Sequence, residues 1–132
     1  MRFVTILVVL AFLALPGRAQ QSAVEGVISS QIEAFGRDDF AAAFTFASPA
    51  IRELFGTPGR FGTMVREGYP MVHRPAEVTF LDLDSAGGAA RQRLLIRDRK
   101  GALHLLEYEL IEGPDGWKIG GVRILKDAEV GA

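Results

Sequence analysis

Apolar residues in this chain repeat with a helical period as far as Tyr69 and with a period of two after Pro75. That switch dictates helices first and a half-buried sheet afterwards. The stretch from Phe46 to Pro75 joins the halves, and Pro49, Pro58, Pro70 and Pro75 divide it.

The first half is punctuated by caps. Ser22 and Glu25 have the spacing of a capping box. Val24, Val27, Ile28, Ile32 and Phe35 then form one apolar stripe, Ser29, Ser30, Gln31 and Glu33 the polar face, and Gly36 the stop. Asp38 is the next N-cap, ahead of Phe40, Ala43, Phe44 and Ala47. Ser48-Pro49 and Thr57-Pro58 each pair a cap with proline at the first helical position, and Gly56 and Gly68 close the segments that follow. After Tyr69-Pro70 no further helix is expected, and Arg74-Pro75 is held extended.

Four strands follow, at 78–83, 90–97, 103–111 and 117–125, separated by glycine-bearing turns and ending in a tail expected to fray from Lys126. They predict an antiparallel meander. Pairing Ile96 near Leu103 collects Leu94, Ile96, Leu103, Leu105, Ile111, Trp117 and Ile119 on one face. Leu95, Leu106, Tyr108, Leu110, Val122 and Ile124 fall on the other, with Arg91, Arg93, Arg97 and His104 among them. In that register both faces are largely apolar and Glu107, Glu109 and Glu112 lie opposite the arginines' face, so a second copy of the chain is expected on the uncovered side.

The N-terminus has a separate purpose. Arg2 gives a positive start, Phe3 to Leu15 is almost unbroken apolar sequence, and Gly17-Arg18-Ala19 is a small-x-small site. Residues 1–19 therefore read as a secretory signal peptide, too short to span a bilayer, leaving 20–132 as one domain with an ordered core over about 22–125. A bacterial periplasmic location is expected, with no membrane span after cleavage. No cysteine is present, so there is no disulfide, no thiolate zinc site and no lipoprotein anchor. The formal charge is −1, and losing Arg2 and Arg18 makes it more acidic, which disfavours nucleic acid.

Phe46-Ala-Ser-Pro49, Ile51, Phe55-Gly56, Phe61, Met64-Val65, Gly68-Tyr69-Pro70, Arg74-Pro75 and Trp117-Lys-Ile119 with Gly121-Val122 resemble the DUF4864 proteins, short exported bacterial chains of unknown function. The resemblance runs from Ile28 to Leu125. Helices followed by a curved sheet ending in Trp-x-Ile look like the NTF2-like superfamily. That likeness implies an α+β cone with helices packed on a curved antiparallel meander, a pocket between them and frequent homodimers through the sheet. The family carries no assigned activity, and fold alone does not supply one.

Tyr69, His73 and Arg66 stand close in sequence at the expected pocket mouth, with Tyr108 on the sheet. A His–Tyr–Arg group can polarise a carbonyl, whereas packed rings with wetted tips are the plainer reading. Asp82 has the position of a strand base, although aspartate is ordinary before a turn. No nucleophile elbow, phosphate loop or dinucleotide fingerprint occurs, and two isolated histidines make a poor metal site. The leading expectation is a non-catalytic domain without cofactor or metal, binding a small apolar or amphipathic ligand or a protein partner. The alternative is an isomerase or dehydratase using His73, Tyr69 or Asp82, and a third reading is assembly through the sheet.

Overall fold

The computed structural model of the protein describes Phe3 and residues 16–128. Five helices precede four strands: α1 (Pro16–Gly36), α2 (Phe40–Thr45), α3 (Pro49–Phe55), α4 (Pro58–Gly68), α5 (Pro70–His73), β1 (Pro75–Ala86), β2 (Ala89–Asp98), β3 (Leu103–Gly113) and β4 (Gly116–Ala128). The strands form one antiparallel sheet in the order β1-β2-β3-β4. The α+β meander is thus as the sequence predicts.

Helix α1 runs through Ser22, so the expected capping box does not form; Glu25 accepts instead from Gln21 Nε2 at 3.1 Å. Gly36 is not the left-handed stop. That conformation falls to Asp38, at φ 53°, with Asp39 N–H donating to Ala34 O and Asp38 N–H to Phe35 O. Those two bonds make a Schellman closure with Asp38 in the position glycine usually takes. Asp39, not Asp38, caps α2 by accepting from Ala42 N–H.

Ser48 and Thr57 cap α3 and α4 as expected, each followed by proline. Pro70 does not end helical structure. It opens α5, one turn long, for which a missing N–H is no loss.

Buried residues of α1, among them Val24, Ile28 and Phe35, pack on the inner sheet face, which buries Leu94, Ile96, Leu106, Tyr108 and Leu110. Gln31, expected on the wet side, is buried as well, and its Nε2 donates to Ala43 O at 3.1 Å. The segment between α2 and α3 lies along β4: Ser48 N–H donates to Ile119 O and Ile119 N–H to Phe46 O, both at 2.8 Å. These bonds cover part of the β4 edge. Register shifts between Phe80 and Leu83, Leu105 and Leu106, and Glu109 and Leu110 interrupt the ladders; the last leaves Gly120 without a cross-strand partner. Bulges of this kind bend a sheet.

The expected face assignment is overturned. Ile96 pairs with His104 and Arg97 with Leu103, one residue away from the expected register. A slip of one exchanges faces. Leu106, Tyr108 and Leu110 therefore join Leu94 and Ile96 inside, while Leu103, Leu105 and Ile111 turn outward with the arginines.

The outer face mixes ion pairs with apolar residues, Leu103 and Ile111 being 38% and 46% exposed. Arg91 faces Glu109, Arg93 faces Glu107 and Glu107 faces Arg123, so the glutamates share the arginines' face. Arg93 Nε lies 3.3 Å from Glu107, Arg123 bonds the same carboxylate from the other side, and Arg97 pairs with Glu77. Strand β4 continues past Lys126: Ala128 pairs with Leu103, and Asp127 Oδ1 lies 2.5 Å from His104 Nδ1.

A candidate ligand cavity between helices and sheet

A cavity of about 230 Å³ lies between the helical layer and the β3–β4 side of the sheet. One wall is aromatic. Phe61 of α4 stands at its centre, with ring centroids 5.7 Å from Phe35, 5.4 Å from Phe44 and 5.8 Å from Phe55. Those rings meet at tilted angles, an arrangement aromatic pairs favour. Ile51, Leu54 and Met64 stand on the helical side, and Ile119, Gly121 and Val122 belong to the sheet wall. Leu54 is 73% exposed, which marks α3 as the outermost part of the enclosure.

None of the lining side chains is charged. Polar groups enter at three places. Tyr69 donates its hydroxyl to Val122 O at 3.0 Å, pinning the end of α4 to β4. Gln31 contributes its amide from α1, held by Ala43 O. Tyr108, the cross-strand partner of Val122, is completely buried, and its hydroxyl has no hydrogen-bond partner among the described residues. Burial, and secondarily the neighbouring Tyr69, push the Tyr108 phenol far above its ordinary range.

The chain matches the family defined by the domain of unknown function DUF4864 over residues 17–132. This chain is a DUF4864 protein. Its fold is NTF2-like: an NTF2-like protein of unknown function from Shewanella baltica is similar at a TM-score of 0.51 and 13% identity, covering 86% of this chain and 99% of that one. A SEC-C motif-containing protein from Rhodopseudomonas palustris is also similar in structure, with a TM-score of 0.60 and 15% identity over 80% of each chain. No curated protein matches the sequence.

Of the residues expected at a pocket in this DUF4864 chain, Tyr69 and Tyr108 line the cavity, whereas His73 and Arg66 do not. Arg66 sits over the Phe40 ring, 5.1 Å from its centroid, and the His73 ring lies 6.1 Å from the same ring. His73 Nε2 is 2.7 Å from Asp38 Oδ1, and Arg74 binds Asp38 Oδ2 at 3.0 Å. Arg74 also donates to Phe35 O and Gly36 O. This cluster ties the C-terminus of α1 to the start of the sheet, where a cation suits the helix dipole. The His73 bond, first, and Arg74 hold the Asp38 carboxyl below its ordinary value, against desolvation.

Asp82 lies on the charged side of the sheet, 3.9 Å from Arg93, so Tyr69, His73 and Asp82 occupy three separate places. Among the described residues no cluster of His, Asp or Glu suits a metal ion.

Gln31 was legible as a lining residue. It stands three after Ile28 and four before Phe35, on the stripe itself, and only its polarity hid it. Asp38 carried a weaker signal, a second acidic residue beside a cap.

Proposed function

We propose that this DUF4864 domain is an exported, non-catalytic binder of a small, largely apolar molecule. The observation that carries this reading is an uncharged cavity of about 230 Å³ left open inside a layer rich in phenylalanine. A cleft between helices and sheet lined almost wholly by apolar side chains, with a few polar groups, is the form small-molecule sites take. The absence of an acid or base other than two tyrosines among the lining side chains argues against proton transfer there.

Export rests on the apolar run ahead of Gly17-Arg18-Ala19. That run lies outside the described residues apart from Phe3, and Gly17 to Ala19 are exposed in the first turn of α1. Cleavage after Ala19 would begin the chain at Gln20, with Ser22 and Glu25 spaced to cap the shortened helix.

Mass spectrometry of the protein purified from the cells that make it tests both parts. Under denaturing conditions the mass should start at Gln20; a mass retaining Met1 or Arg2 contradicts export. Under native conditions the protein should carry a small uncharged adduct, lost when Val65→Phe narrows the cavity. An adduct-free native mass, together with no binding of added apolar molecules, contradicts the ligand reading.

A further inference from the structure

We propose that the molecule bound in this cavity is a hydrogen-bond donor, carrying a neutral hydroxyl or N–H group seated on the Tyr69 oxygen and otherwise apolar. The inference rests on the cavity being a ligand site and adds the polarity of what it holds.

Tyr69 is placed by two bonds. Its backbone N–H donates to Val65 O at 2.8 Å, which closes α4, and its side chain crosses to β4, where the hydroxyl donates to Val122 O at 3.0 Å. Val65, Gly121 and Val122 line the same cavity as Tyr69 itself. The phenol oxygen therefore stands where the helical layer meets the sheet wall, on a side chain that is only half-buried.

A phenol has one proton, and here it is committed to Val122 O. The lone pairs of the oxygen are not used by that bond, so what Tyr69 offers a ligand is an acceptor. A ligand that donates adds a hydrogen bond to those already present. A ligand that only accepts must turn the proton away from Val122 O, so it breaks one bond to make another. That difference sets the preference.

The other polar side chains of the lining do not change it. Tyr108 is wholly buried behind the wall, so its hydroxyl is out of a ligand's reach. Gln31 is 2% exposed, and Ala43 O fixes which end of its amide faces α2. Its amide keeps both donor and acceptor character, so it favours neither kind of ligand.

The donor is neutral. An ammonium would lose its hydration and meet no carboxylate among the lining side chains. A carboxylate would face an acceptor and no cation. A plain hydrocarbon would fill the space beside Phe61 and Met64 and make no use of the Tyr69 oxygen.

The alcohol 1-phenylethanol and the ketone acetophenone share a carbon skeleton and differ in CH–OH against C=O, so only the alcohol donates. Each is titrated into the wild-type protein and into Tyr69→Phe by protein-observed NMR. Wild type should bind the better-fitting enantiomer of the alcohol about fivefold more tightly than the ketone, the net effect of one hydrogen bond. In Tyr69→Phe that ratio should shrink to within about twofold, whatever happens to the two affinities together. Equal wild-type affinities, or a preference for the ketone, overturn the donor assignment and leave the cavity reading standing. A preference for the alcohol that survives in Tyr69→Phe places its hydroxyl elsewhere and overturns the seat. Binding of neither compound overturns this inference and the cavity reading together. Should Tyr69→Phe not fold, a crystal structure of the wild-type alcohol complex decides. An alcohol oxygen within hydrogen-bond distance of Tyr69 Oη supports the seat, and one placed elsewhere overturns it.

Discussion

His104 is held at both ring nitrogens by carboxylates, Asp98 at 2.8 Å and Asp127 at 2.5 Å. Its side chain is only 12% exposed, so burial alone would lower its pKa. The bonds to Asp98 and Asp127 outweigh that burial and raise it. Because the folded value lies above the unfolded one, the stabilisation is complete below pH about 6.5 and is lost as pH rises through the folded pKa. Asp98 behaves in the opposite sense. Its carboxyl is held low, first by the His104 bond, so its contribution is present above the ordinary aspartate pKa and disappears in acid. Wild type should therefore exceed His104→Gln in melting temperature by a wider margin at pH 5.5 than at pH 8.5. Calorimetry at both values checks this, and a margin independent of pH contradicts it.

Helices α2 and α4 meet where Gly62 faces Phe40. A Cβ on Gly62 would lie 2.6 Å from that ring, closer than atoms can pack. Phe40 has little freedom to retreat, because Phe35, His73 and Arg66 surround it. Gly62→Ala should cost about 1–3 kcal/mol, as overpacking does. Gly59→Ala in the same helix meets nothing within 4 Å, so it should be neutral or gain up to about 1 kcal/mol from helix propensity. Urea unfolding of the two variants checks the contrast; equal effects contradict the proposed contact.

Much of this element layout is readable in advance because caps are local. Ser48-Pro49 and Thr57-Pro58 announce their helices within three residues, and both hydroxyls make the expected bonds. Register is not local in the same way. Both faces of β2 and β3 carry leucines, so their pattern does not choose between pairings. The turn chooses. Asp98 N–H donates to Ala102 O, and Gly101 takes φ 89°, so three residues form the loop and Arg97 meets Leu103. Counting Gly101 as the last residue of a tight turn shifts the pairing by one. That single residue moved Tyr108 from the arginines' side to the cavity wall. Tyr69 and Tyr108 were readable as pocket residues, but the His73–Asp38 bond spans 35 residues and no local pattern encodes it.

On the scale of the whole molecule, the two faces of one sheet carry different chemistry. Outside, Glu107 is 5% exposed because the Arg93 and Arg123 side chains lie against it. The Arg123 bond, ahead of desolvation and Arg93, keeps its carboxyl below the ordinary range. Inside, leucines, isoleucines and tyrosine pack against helices over part of the sheet and leave the cavity over the rest. The helical layer touches the sheet through α1, α3, α5 and the Phe46–Ser48 segment, although α3 buries none of its residues. The volume beneath α3 is therefore covered by a helix with no buried residue. The central claim is that this volume is an open apolar site, and a crystal structure under xenon pressure tests it most directly, since xenon occupies dry apolar cavities. Xenon bound among Phe61, Met64 and Tyr69 is the predicted result; side chains closed over that space, with no xenon in it, would contradict the account.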